Sequence, residues 1–192
     1  MKREIRILAI DDCSFNFKDK MVSVIAVLFR GGSFLDKFEM FKIEKDGDDA
    51  TEKIIKMVNK NEYKAQLKLI MLKGITLGGF NFVDIKKVYK KTKISVLAVM
   101  RNSPNIRKFI KAGKKFNKNA DRIIKEAGKI KPFIIKGKKL YVQNAGLKES
   151  EIKEVLKLTV LHANIPEPLR ISNLISEGIK SNLVNSHSAR NI

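Results

Sequence analysis

The sequence predicts one α/β domain on a mixed sheet, in which an antiparallel three-strand meander precedes parallel strands and helices cover both faces. Three observations carry this expectation. The 192 residues amount to about one domain, enough to bury roughly 70% of the surface the unfolded chain exposes. Apolar residues make up 44% of the chain, are spread along its whole length and are interrupted by only four prolines, which excludes a disordered protein. The first three apolar runs are joined by short turns, whereas the later ones alternate with segments of helical period.

The first run, residues 6–10, ends abruptly at Asp11-Asp12 and reads as a buried strand whose carboxyl end presents acids. Residues 21–29 form a second strand and residues 34–43 a third, joined by the turn Arg30-Gly31-Gly32-Ser33. After a turn at residues 45–48, Ile54, Ile55 and Val58 place a helix over 49–59, with Asp48, Asp49 and Thr51 as candidate caps. Residues 67–72 are a fourth strand, followed by a flexible glycine loop over 74–79 and a helix over about 81–91. A strand over 95–100 leads to a helix opening at Ser103-Pro104, a good cap with proline at the first helical position. In that helix Ile106, Phe109, Ile110 and Gly113 share one face, with Arg107, Lys108, Lys111, Lys114 and Lys115 turned away. A short helix over 120–127, a hairpin over 133–143 turning at Gly137, and helices over 149–161 and 167 to about 182 complete the single domain of 1–192, with a polar, mobile tail from about 185.

Composition narrows the function. Forty Lys or Arg against 20 Asp or Glu give a net charge of +20. Residues 86–139 hold 19 of the basic residues and only two acids, Asp121 and Glu126, or +17; the remaining 21 basic and 18 acidic residues give +3. Such segregation is the footprint of a polyanion binder, and nucleic acid, DNA or RNA, is the expected partner. The bland reading is a solvated face enriched in Lys by a biased composition, which accounts for Lys in place of Arg but not for the shortage of Glu. No apolar run approaches the ~20 residues of a membrane span and no signal peptide follows the start, so the expected location is the cytoplasm. One cysteine, Cys13, excludes an intramolecular disulfide, and with only His162 and His187 beside it a Cys/His zinc site is excluded too, so any metal needs oxygen ligands.

The element order is the ribonuclease-H-like arrangement, in which acids on the first strand, first helix and fourth strand together hold Mg²⁺ or Mn²⁺ for phosphodiester hydrolysis. Hard cations of this kind take oxygen ligands, and two of them clamp the attacking and leaving oxygens. Ala9-Ile10-Asp11-Asp12, the run Asp46-Gly47-Asp48-Asp49-Ala50-Thr51-Glu52, the run from Gly74 to Asp84 and Pro166-Glu167-Pro168-Leu169-Arg170 resemble the motifs of an archaeal family of uncharacterised proteins, domain of unknown function ninety-nine. That family is similar to endonuclease V, a ribonuclease-H-like enzyme that cleaves near deaminated bases with Mg²⁺. The resemblance spans nearly the whole chain and implies a first-strand aspartate at Asp11, a catalytic position shared with Asp12, and metal ligands among Asp11, Asp49 and Glu52. The chain departs from endonuclease V at the end of the fourth strand, where Lys73 stands before Gly74 in place of an aspartate. A lysine there repels a metal and neutralises neighbouring carboxylates; Asp84, further on in a helix, is the remaining acid in that region. Phosphate contacts are expected from Lys73, Arg101, Ser103, Arg107, Lys108 and Lys111, with the helix start near Ser103 as an anion site. Glu167 and Arg170 are expected to pair across the start of the last helix rather than to act in catalysis. The leading expectation is therefore a metal-dependent endonuclease that binds nucleic acid. The alternative that Lys73 favours is a non-catalytic binding or scaffold protein on a degenerate nuclease fold.

Overall fold

The computed structural model describes the backbone of residues 4–188 and the side chains of 4–179. The first strands are β1 (Arg6–Asp12), β2 (Met21–Arg30) and β3 (Phe34–Glu44), paired antiparallel in succession as the short turns require. Helix α1 (Ala50–Lys60) then crosses back so that β4 (Leu67–Leu72) lies parallel to β1. A small hairpin of β5 (Thr76–Leu77) and β6 (Asn81–Phe82) precedes α2 (Ile85–Thr92), and β7 (Ser95–Met100) lies parallel to β4. After α3 (Ile106–Gly113) and α4 (Ala120–Glu126), the hairpin β8 (Lys131–Ile135) and β9 (Lys138–Ala145) closes the sheet, and α5 (Glu149–Thr159) and α6 (Glu167–Ser188) end the chain. The seven-stranded order is β3-β2-β1-β4-β7-β9-β8. Parallel pairing is confined to the neighbours β1, β4 and β7; β9 pairs antiparallel with β7, and the tight hairpin sets β8 antiparallel to β9.

Strand alternation divides the core into two layers. Leu8, Ile10, Val24 and Ile70 meet α1, α2 and α4 through Ile54, Val58, Val88 and Ile124. Ile7, Ala9, Val27 and Leu69 meet α5 and α6 through Ile152, Val155, Leu156 and Leu169. Helices thus cover both faces, and the long buried runs read in β1, β2 and β4 are strands enclosed on two sides.

Four local expectations change. The loop over 74–79 is not free: it contains β5 and leads through the Gly78-Gly79 turn into β6. The helix expected from residue 81 starts at Ile85, because Asp84 caps it by accepting from Lys87 N at 2.9 Å while Asn81 and Phe82 pair in the hairpin. Asp84 also faces Arg122 at 3.4 Å, so it is a cap and ion-pair partner. The helix expected at Ser103-Pro104 begins at Ile106, since Asn105 Oδ1 accepts from Lys108 N and takes the capping role. The last helix runs on to Ser188, so the tail expected from 185 overlaps its final turn; residues 189–192 and the side chain of His187 lie outside the described residues. No helix among the described residues is long and apolar enough to cross a membrane.

Candidate functional site

The parallel pairing of β1 with β4 ends at Ile10 opposite Leu72, so the next residues, Asp11 and Lys73, emerge side by side on the same face. Lys73 Nζ donates to Asp11 Oδ2 at 3.1 Å and to Asn173 Oδ1 of α6 at 3.2 Å. Asp11 is 1% exposed and the Lys73 side chain 42% exposed, so a buried carboxylate anchors a cation that reaches solvent at the carboxyl edge of the sheet. Burial pushes the Asp11 carboxyl up to about 7 against the opposing pull of the Lys73 ammonium, and the Asp12 carboxylate adds to the rise. Behind it, Cys13 is buried, and that burial pushes its thiol up.

Asp12 takes the opposite face. Its Oδ2 accepts from Gly78 N at 2.8 Å, while its own amide donates to Asp11 Oδ1 at 3.1 Å. The acids of the second motif hold the same turn. Asp46 Oδ1 accepts from Phe80 N at 2.8 Å, and a Cβ on Gly79, whose φ is +91°, would stand 2.3 Å from that oxygen. Asp49 accepts from Glu44 N at 3.1 Å and from Asn81 Nδ2 at 2.7 Å, and pairs with Lys53 at 2.6 Å. These donors hold the Asp49 carboxyl below the usual carboxylate range in spite of its burial. Glu52 pairs with Lys87 of α2. Asp12, Asp46 and Asp49 therefore form a clasp around the 78–81 turn, and neither Asp49 nor Glu52 joins Asp11.

A Mg²⁺ or Mn²⁺ centre requires several oxygen ligands to converge. Here Asp11 shares its oxygen with an ammonium, Asp12 projects to the other face, and Asp49 and Glu52 are engaged elsewhere. Among the described residues no group of three or more His, Cys, Asp or Glu is placed to hold a metal ion. The expected ligand set does not fit the ion: Lys73 occupies Asp11, and the other acids are held away from it.

The carboxyl edge nevertheless carries a cavity and exposed cations. A cavity of about 230 Å³ opens beside Lys73, lined among others by Gly74, Met100, Asn102, Phe109 and Gln143. Arg101, Ser103, Arg107, Lys108 and Lys111 are all exposed, the last three on α3. Ser103 does not cap α3, so its expected anion site at a helix start is not formed by that residue. Glu167 and Arg170 pair as expected, Arg170 Nε donating to Glu167 Oε2 at 2.8 Å.

A mixed sheet in this order, with helices on both faces and an acid at the end of its first strand, defines a protein of the ribonuclease-H-like class with the endonuclease V architecture. The similarities to known proteins are of that kind. The chain belongs to the family described as Endonuclease dU, whose model matches residues 3–180. It is 40% identical over 183 residues to a UPF0215 protein of Methanosarcina mazei, covering 93% of this chain and 92% of that one. A crystal structure of an Archaeoglobus fulgidus protein of unknown function superimposes with a TM-score of 0.82 at 39% identity, over 92% of this chain and 98% of that chain. Endonuclease V of Ciona intestinalis, in complex with DNA containing an inosine followed by a ribo-adenosine, matches with a TM-score of 0.63 at 9% identity, over 94% of this chain and 87% of that chain, a likeness of fold.

Proposed function

We propose that this protein binds DNA across the carboxyl edge of its sheet and acts at a deaminated base, deoxyuridine being the lesion that the family's description names. The observation that carries the reading is the Asp11–Lys73 pair. An ammonium has three donors, and with two given to Asp11 and Asn173 the third serves a backbone phosphate. The cavity beside it is smaller than the ~300 Å³ at which drug-sized sites begin and suits a single base turned out of the stack. Arg101 and the basic face of α3 supply further phosphate contacts. Endonuclease V bound to inosine-containing DNA supports the same use of the fold.

Strand cleavage next to the lesion is the activity that accompanies this reading, and binding without cleavage is the second reading. The near-complete burial of Asp11 and its pairing with Lys73 favour the second, because they leave that carboxylate with no direct path to an attacking water. Uracil-containing, inosine-containing and undamaged duplexes, each with Mg²⁺, Mn²⁺ or a chelator, separate the two. Nicking beside uracil that Asp11→Asn abolishes supports the endonuclease. Salt-sensitive binding with no nicking under any condition supports the binding protein. In both, Lys73→Gln is expected to weaken binding to uracil-containing duplex about 10-fold, the worth of one charged hydrogen bond; equal affinities for damaged and undamaged DNA would sink the lesion assignment.

A further inference from the structure

A second positive surface lies away from Lys73. On α2, Lys86 and Lys90 stand four residues apart on one stripe, and Lys93 at the helix end continues it. With Tyr89, Asn144 and Gly146 they line a groove of about 510 Å³ between α2 and the end of β9. Close packing builds its floor: a Cβ on Gly146, whose φ is +89°, would lie 2.4 Å from the Tyr89 ring. Ser95 Oγ donates to Gly146 O at 3.0 Å and ties this floor to the start of β7. Several neighbours in the basic segment are matched by acids: Lys87 by Glu52, Lys114 and Lys125 by Asp121, Arg122 by Glu126. Lys86, Lys90 and Lys93 are exposed and have no carboxylate partner among the described residues.

We propose that this groove is a second, sequence-independent contact for the nucleic-acid backbone, engaging phosphates remote from those at Lys73. The two surfaces lie toward opposite ends of β7. Gly74 N, next to Lys73, donates to Val99 O, and from Val99 back to Ser95 at the groove is four residues of β7, about 13 Å. A duplex running along β7 would cover that distance in about four base pairs, at 3.4 Å per step. The three lysines extend over about 10 Å along α2, and the ring of Tyr89 offers an apolar surface to the sugar edges. Lysines without arginine suit phosphate contact rather than base reading, so this surface adds affinity and register but no sequence preference.

The inference rests on the nucleic-acid reading above, and one experiment separates their failures. The affinity of the full chain for a long uracil-containing duplex is measured against salt concentration for the wild type, for Lys86→Gln/Lys90→Gln/Lys93→Gln, and for a control of equal charge loss, Lys60→Gln/Lys153→Gln/Lys157→Gln. The groove variant is expected to lower the slope of log affinity against log salt by about 2 to 3, and the control by less than about 1. Equal slopes in the two variants, with wild-type binding intact, overturn the groove contact alone. A wild type with no salt-dependent affinity overturns the nucleic-acid reading as well.

Discussion

Asp11 and Lys73 form a pair whose members have opposite exposure, and this makes the pair sensitive to pH. The folded Asp11 carboxyl titrates near 7, above the ~3.9 of an unfolded aspartate. Between those values the folded state holds more protons than the unfolded one, so Asp11 contributes stability at low pH that is lost as pH rises toward 7. Urea denaturation from pH 4.5 to 7.5 is expected to show a fall in stability that is smaller in Asp11→Asn; an identical pH dependence in the variant would refute the assignment. The two residues were legible separately: the alternation of a strand assigns Asp11 and Asp12 to opposite faces, and Lys73 stands out at the end of its apolar run. Their contact was not, because it depends on Ile10 standing opposite Leu72, a register that no local pattern encodes.

At the scale of elements, long apolar runs declare themselves and short polar turns do not. The major strands and α1, α4 and α5 fall where period and turn residues place them, since burial on one or two faces dictates their composition. The 74–84 segment departs from its local pattern because its order comes from distant acids and not from its own sequence. Asn81 shows the mechanism: fully buried, it donates to Glu44 O at 2.8 Å and Asp49 Oδ1 at 2.7 Å and accepts from Ala50 N at 3.0 Å. Asn81→Ala leaves these groups unpaired, and a loss of about 2–3 kcal/mol is expected in chemical denaturation. A loss below ~1 kcal/mol would mean that water replaces the amide. Likewise α3 starts two residues beyond Pro104, because Ser103-Pro104 and Asn105 offer competing caps and only the fold decides between them.

Over the whole molecule, the positive charge concentrates on segments that follow β4, while the acids of the opening motifs serve as clasps within the structure. The charge asymmetry was fully legible by counting; its division into an α3 surface beside Lys73 and a groove along α2 was not, since both lie in one stretch of sequence. The Asp11–Lys73 pair at the end of the first strand has a consequence for the molecule's dependence on solutes. One anion beside one cation sums to zero, whereas a cluster of acids needs a bound counter-ion to relieve its own repulsion. Folding of this chain should therefore be indifferent to chelation. Thermal melting with excess EDTA and with Mn²⁺ is expected to give midpoints within about 1 °C, while an ion held at 100 times its Kd would add about 2.7 kcal/mol and raise the midpoint by several degrees. A Mn²⁺-induced rise lost in Asp11→Asn would contradict this neutrality; without one, the lysine is the counter-ion the fold carries covalently.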